Sequence, residues 1–233
     1  MKLVLTCEHG GNEIPQNYRH LFSGAEAVLN SHRGYDLGAL DLFLHLFPLA
    51  DFGKFQTISR LLVEMNRSEN HPHLFSEFTK NIPLEEKKEL LETFYFPYRK
   101  AIEGKIGNFI KNGESVIHLS VHSFASELHG KTRNADIGLL YDPKRNAEKT
   151  FCKNFKTQLE NQNNTWKIRM NYPYLGTTDG FTTYLRKKFP QHYAGIELEV
   201  NQQFSLGGRM DGGLKKGVWE VLGKLTLRLS NDG

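Results

Sequence analysis

A single α/β domain with a mostly parallel sheet is the fold the sequence predicts. Three observations predict it. Short apolar runs of strand type recur near residues 3–6, 116–122, 137–141, 166–170 and 193–200. Stretches with helical spacing separate them, and 233 residues suffice to bury one sizeable core. One domain over 1–233 is the default, and two small ones also fit the length.

The elements follow in order. Leu3 to Thr6 forms a strand that opens directly into Cys7-Glu8-His9-Gly10-Gly11-Asn12-Glu13-Ile14-Pro15. An imidazole beside two residues without side chains suits a reactive group at the mouth of a sheet, although a β-turn after an edge strand also explains the glycines. Tyr35 to Phe47 places Leu37, Leu40, Leu44 and Phe47 at helical spacing, with Gly34 and Pro48 as boundaries. Phe55 to Met65 is patterned as an extended segment broken by polar residues, and it leads into Asn66-Arg67-Ser68. Residues 70–81 read as irregular. Leu84 to Gly107 reads as one long helix or two, broken or kinked at Pro97.

Glu114 to His122 is the strongest strand, followed by a polar link over 126–134 and a short strand from Ile137 to Tyr141. Asn146 to Leu159 suits a surface helix, and 160–165 a polar loop. Trp166 to Met170 is a strand running into the turn-rich Asn171 to Gly176. Phe181 to Phe189 is helical, Tyr193 to Val200 a strand, and Gly213 to Ser230 a final helix.

Composition narrows the function classes. Apolar residues at 39%, with 16 Phe and 9 Tyr, indicate a folded globular protein. The net charge of +4 comes from 30 basic and 26 acidic residues scattered along the chain. It favours a small anionic substrate and gives no basic stripe for nucleic acid. Two cysteines exclude a disulfide framework and point to a reducing, cytoplasmic setting. Residues 1–6 are too short and too soon polar for a signal peptide, and no apolar run approaches a membrane span.

Parallel sheets place working residues beyond the carboxyl ends of their strands. That rule sends His9, Arg67, His122 and the segment around Glu199 to one crevice. Two imidazoles and a carboxylate can hold a catalytic zinc, a further carboxylate can take a proton from water, and an arginine can grip a substrate carboxylate. Residue types alone do not choose among 10 His and 26 acids.

The segments His9–Pro15, Tyr35–Ala39, Ser59–Arg67, His122–Phe124, Asp136–Tyr141, Asn171–Tyr174 with Asp179-Gly180, and Glu197–Asn201 resemble, in order, the signature blocks of the N-formylglutamate amidohydrolase family. That family is similar in fold to zinc carboxypeptidases and amino-acid deacylases. The resemblance implies a three-layer α/β/α domain with a central mixed sheet and a catalytic Zn2+. It also implies hydrolysis of the amide joining formyl or another small acyl group to an acidic amino acid.

Carried over position by position, the resemblance makes His9 and His122 metal ligands. It makes Asn66 and Arg67 the grip on a substrate carboxylate, and Glu199 the carboxylate that activates water. In carboxypeptidases a glutamate ligand follows the first histidine by three positions. Here that position is Asn12, so Asp36 is the preferred third ligand and Glu13 the alternative. Asp36 also suits the start of its helix, where negative charge is favoured. Glu64 stands where the family block has aspartate, and is expected to act behind a ligand.

Among the remaining candidates, Arg60 is expected to line the substrate wall or pair with Glu64. Arg133 is expected to bind the substrate carboxylate or stabilise an oxyanion, with Tyr174 and Asp179 on the same rim. Asp136 is a candidate carboxylate behind a metal histidine. Glu197 shares a strand face with Glu199 and has a supporting role. His118, among apolar neighbours, and the two cysteines read as structural. Two other functions remain open: a zinc carboxypeptidase or amidase acting on small peptides, and a non-catalytic binder of small carboxylates. The sequence leaves oligomeric state undetermined.

Overall fold

The structure, a computed structural model, describes residues 1–231. In order it comprises β1 (Lys2–Cys7), α1 (Glu26–Leu29), α2 (Ala39–Leu46), β2 (Phe52–Phe55), α3 (Leu84–Leu90), α4 (Phe96–Lys111) and β3 (Val116–Phe124). Next come β4 (Glu127–Leu128), β5 (Lys131–Thr132), β6 (Ile137–Leu140), α5 (Asn146–Gln162), β7 (Ile168–Met170) and α6 (Phe181–Lys188). The last elements are β8 (Tyr193–Asn201), β9 (Ser205–Leu206), β10 (Arg209–Met210) and α7 (Gly212–Asn231).

Strand alternation decides the layering. Leu3, Leu5 and Cys7 of β1 share one face with Ile117, Leu119 and Val121 of β3 and Ile196, Leu198 and Val200 of β8. There they pack against Leu42, Phe43 and Leu46 of α2, Phe151 and Phe155 of α5, and Leu214, Val218 and Leu222 of α7. Val4, Val116 and Tyr193 point the other way, toward Tyr98, Ile102 and Ile106 of α4 and Phe181 and Leu185 of α6. The result is a sheet between two helical layers.

The six main strands run in the order β2-β1-β3-β8-β6-β7. All neighbours are parallel except β8 and β6, which are antiparallel. This is a mixed, mostly parallel sheet with β3 and β8 in its interior. A third, smaller cluster, including Tyr18, Phe22, Ile58, Leu62 and Leu90, ties the loops beside β2 to α3. No helix among the described residues is long and apolar enough to cross a membrane. Cys7 and Cys152 are buried and free, as small hydrophobes are.

Several elements depart from the sequence expectation. The extended segment expected over 55–65 is a strand only up to Phe55. Beyond it the Gln56 side chain accepts from the N–H groups of Thr57 and Ile58, and Ser59 turns the chain back at Leu62. Its apolar residues Leu61, Leu62, Val63 and Met65 are buried by loop packing instead. The division expected at Pro97 takes the form of a π turn over Leu91–Tyr95, which joins α3 to α4 and leaves Pro97 in the first turn of α4. A widened turn there accommodates the missing N–H. The polar link after β3 contains the β4–β5 hairpin, and α5 continues to Gln162, into the segment expected as a loop.

Candidate metal and active site

His9 lies just past the carboxyl end of β1, His122 near the end of β3, and Glu199 beside it near the end of β8, where the two are register partners. The turn after β1 is held tightly against residues 56–57. Gly10 N–H donates to the Gln56 carbonyl at 2.9 Å, and a Cβ on Gly11 would stand 2.5 Å from the Thr57 carbonyl oxygen. A side chain at position 11 would therefore displace this turn and His9 with it. Asp36, ahead of α2, is tethered to the same turn through its N–H, which donates to the His9 carbonyl at 2.9 Å.

Asp36 joins the two histidines. Its Oδ2 is 2.9 Å from His122 Nδ1 and 3.3 Å from His9 Nδ1, and ligand atoms of the three residues lie within 4.8 Å of one another. The opposite ring nitrogens meet other carboxylates. His9 Nε2 contacts Glu64, and His122 Nε2 lies 2.8 Å from Ser120 Oγ and 3.3 Å from Glu8 Oε2. Arg60 clasps the assembly, donating to Asp36 Oδ1 at 3.2 Å and to Glu64 Oε2 at 2.6 and 2.9 Å.

The charges follow from these contacts. Burial alone would raise the Glu8, Asp36 and Glu64 pKa values, but the opposite holds. His122 brings Glu8 down to about 2; His9, His122 and Arg60 hold Asp36 well below the carboxylate range; Arg60 and His9 do the same for Glu64. Burial disfavours charge on both imidazoles, and Arg60 disfavours it on His9. Asp36 with Glu8 nevertheless raises His122 well above its usual pKa, and Glu64 with Asp36 raises His9. Glu199 differs. Burial pushes it up to about 7, and its buried Oε2 has no hydrogen-bond partner among the described residues.

This donor set fits a divalent cation. Two imidazole nitrogens and one carboxylate oxygen are turned toward each other, with carboxylates at the far side of both rings. Without their Nδ1 hydrogens the two rings and Asp36 present three lone pairs to one another, and a carboxylate behind each ring is the arrangement that orients metal-binding histidines.

The structure does not bring every candidate here. Glu13, the alternative ligand, is exposed and accepts from Thr57 Oγ1. It is not part of the His9–Asp36–His122 cluster. Asp136 was expected behind a histidine. Its carboxylate instead accepts from Lys167 N–H and from Gln203 Nε2, because it lies just ahead of β6 beside the residue that precedes β7. Glu197 accepts from Thr182 Oγ1 and so secures α6. Arg60 is bound to Asp36 and Glu64, its pairing role, and only about a quarter of its side chain is exposed.

Asn66 N–H donates to Glu64 Oε1 at 3.0 Å, while Asn66 Oδ1 accepts from Phe181 N–H at 2.7 Å. Arg67 donates to the Asp179 carbonyl, and Ser68 N–H to Asp179 Oδ2. Arg133 lies over the exposed Tyr174 ring at 4.9 Å and 5.9 Å from the Phe124 ring centroid. Main chain walls the site beside Glu199. A Cβ on Gly138, the register partner of Glu199, would stand 2.0 Å from the Tyr172 carbonyl oxygen and 3.2 Å from Glu199 Cβ.

Glu8 is the buried carboxylate that sequence reasoning missed. The available signal was its place in the β1 alternation, on the face of Val4 and Thr6. His118 lies on the same side, bonded to Thr6 Oγ1 and Tyr193 OH, a structural role.

Fold and site define a class: mixed-sheet α/β proteins with a histidine–carboxylate centre at the ends of adjacent strands. The family model described as N-formylglutamate amidohydrolase matches residues 1–205, and the chain belongs to that family of hydrolases. No curated protein matches it significantly. Among solved structures, gene product Atu2144 from Agrobacterium tumefaciens superposes with a TM-score of 0.82 at 23% identity, over 98% of this chain and 92% of that one. An N-formylglutamate amidohydrolase from Ralstonia eutropha JMP134 follows at 0.66 and 17%, covering 99% and 93%. Both show a shared fold.

Proposed function

We propose that residues 1–233 form one catalytic domain that hydrolyses, with zinc, the amide of an N-formyl or other small N-acyl acidic amino acid, N-formylglutamate above all. The observation that carries this reading is the unpartnered Glu199 Oε2, buried next to the His9–Asp36–His122 cluster. Family membership supplies the substrate type.

His9, Asp36 and His122 would hold the ion. Bound there, zinc supplies Lewis acidity toward the amide carbonyl and toward water. Glu199 takes the proton of the attacking water and hands it to the amine nitrogen as the C–N bond breaks, a task suited to a carboxyl held near neutrality. Asn66 and Arg67, fixed by the 179–181 segment, offer their remaining N–H groups to the substrate carboxylate. Arg133, braced on Tyr174, serves a second anionic group or the developing oxyanion. Two buried thiols suit a reducing compartment such as the cytoplasm.

Metal analysis of gently purified protein, joined to a substrate panel, tests this. The panel compares N-formylglutamate, N-acetylglutamate, N-formylaspartate and short glutamyl peptides. Bound zinc with turnover of N-formylglutamate is expected. Exclusive peptide cleavage would make the protein a carboxypeptidase, and neither metal nor hydrolysis a carboxylate binder.

A further inference from the structure

We infer that Glu8 is a positioning residue that fixes which nitrogen of His122 is free to bind the ion, and thereby sets the metal affinity of the centre. The inference rests on the reading of His122 as a ligand. Thr6 of β1 pairs with Ser120 of β3, so two residues farther along Glu8 falls beside His122. Glu8 is fully buried. Its Oε2 accepts from Ser120 Oγ at 2.5 Å and stands 3.3 Å from His122 Nε2, while its Oε1 accepts from Tyr98 OH at 3.1 Å. Tyr98 belongs to α4, so the carboxylate is fastened from two elements.

Proton accounting gives the role. The Ser120 hydroxyl has one proton, and the carboxylate takes it, since an ionised carboxylate only accepts. The Ser120 oxygen, 2.8 Å from His122 Nε2, is then an acceptor toward the ring. His122 must therefore carry its hydrogen on Nε2. Nδ1 is left with its lone pair available in the ion-bound state, aimed at the point where Asp36 Oδ2 stands 2.9 Å away.

Without the charge at position 8, Ser120 is free to turn and donate to Nε2. The ring hydrogen then moves to Nδ1, bonds to Asp36 and closes that nitrogen to a cation. Serine alone permits either tautomer; Glu8 permits one. Glu64 contacts the corresponding nitrogen of His9, so the two rings are held alike but by separate carboxylates.

Imidazole nitrogen NMR of the zinc-loaded wild-type protein is the first test. His122 is expected to coordinate through Nδ1 and keep hydrogen on Nε2, and coordination through Nε2 would overturn the inference. The second is zinc affinity by chelator competition for wild type and Glu8→Gln, with circular dichroism and thermal melting to show that the variant folds. Loss of about 10- to 100-fold in affinity is expected. If wild type binds zinc and a folded Glu8→Gln binds it equally well, Glu8 loses this role while the metal reading stands. If wild type takes up no zinc, the metal reading fails first and takes this inference with it. The wild-type spectrum decides should the variant not fold.

Discussion

Glu199 and His118 lie on the same face of the sheet, and burial moves their pKa values in opposite directions because it penalises whichever form is charged. Glu199 goes up to about 7 and His118 down to about 4. Glu199→Gln removes the proposed proton carrier but none of the candidate ligands. Zinc content should stay unchanged while amide hydrolysis falls by about 10²- to 10⁴-fold; turnover at the wild-type rate would refute the role. For His118 the unfolded chain takes a proton below about pH 6.5, the folded protein only below about 4. Its contribution is therefore complete above about pH 6.5 and lost as pH falls toward 4, on the order of 3 kcal/mol. Urea unfolding at pH 7 and 5 checks the sign, and His118→Gln should flatten this part of the profile. His9, His122 and Glu199 were legible because each ends or nearly ends an apolar strand. The pair of Arg60 with Glu64, four residues on, was legible too; Glu8 and the bond from Arg60 to Asp36 were not, since their partners are made adjacent only by the fold.

Among the elements, strands with strong alternation were readable to within a residue or two, and β8 kept Glu197 and Glu199 on one face as the period requires. Residues 55–65 misled because their apolar side chains are buried without a ladder, and burial alone does not make a strand. Pro97 did mark where the helical stretch divides, but the form of the division, a π turn over Leu91–Tyr95 just ahead of it, had no signature in the sequence. The tightest requirement lies in β6. Gly138→Ala puts a carbon 2.0 Å from the Tyr172 carbonyl, so β6 and the segment after β7 must separate. A loss of at least about 1–3 kcal/mol is expected in chemical denaturation, with hydrolysis reduced in whatever remains folded. Wild-type stability and activity would show that the segment shifts freely.

At the scale of the whole molecule, alternating strands and helices revealed an α/β sheet, but the reversed direction of β6 against β8 has no local sequence signature. It emerges from how the chain crosses between layers. The centre draws on β1, β3, β8 and the loops carrying Asp36 and Glu64, so an ion there fastens segments far apart in sequence. Adding zinc to metal-free protein should raise the melting temperature, by an amount equivalent to about 2.7 kcal/mol at a free concentration 100 times Kd. Chelation should reverse the shift, and Asp36→Ala should abolish it. The main-chain wall at Gly138 and Tyr172 has a different consequence, for the evolution of specificity. Space beside Glu199 is bounded there by a carbonyl, so trimming a side chain cannot widen it. A relative that accepts a bulkier acyl group at this wall would need a changed loop path or length between β7 and α6, and substitutions of single residues would leave its selectivity largely intact.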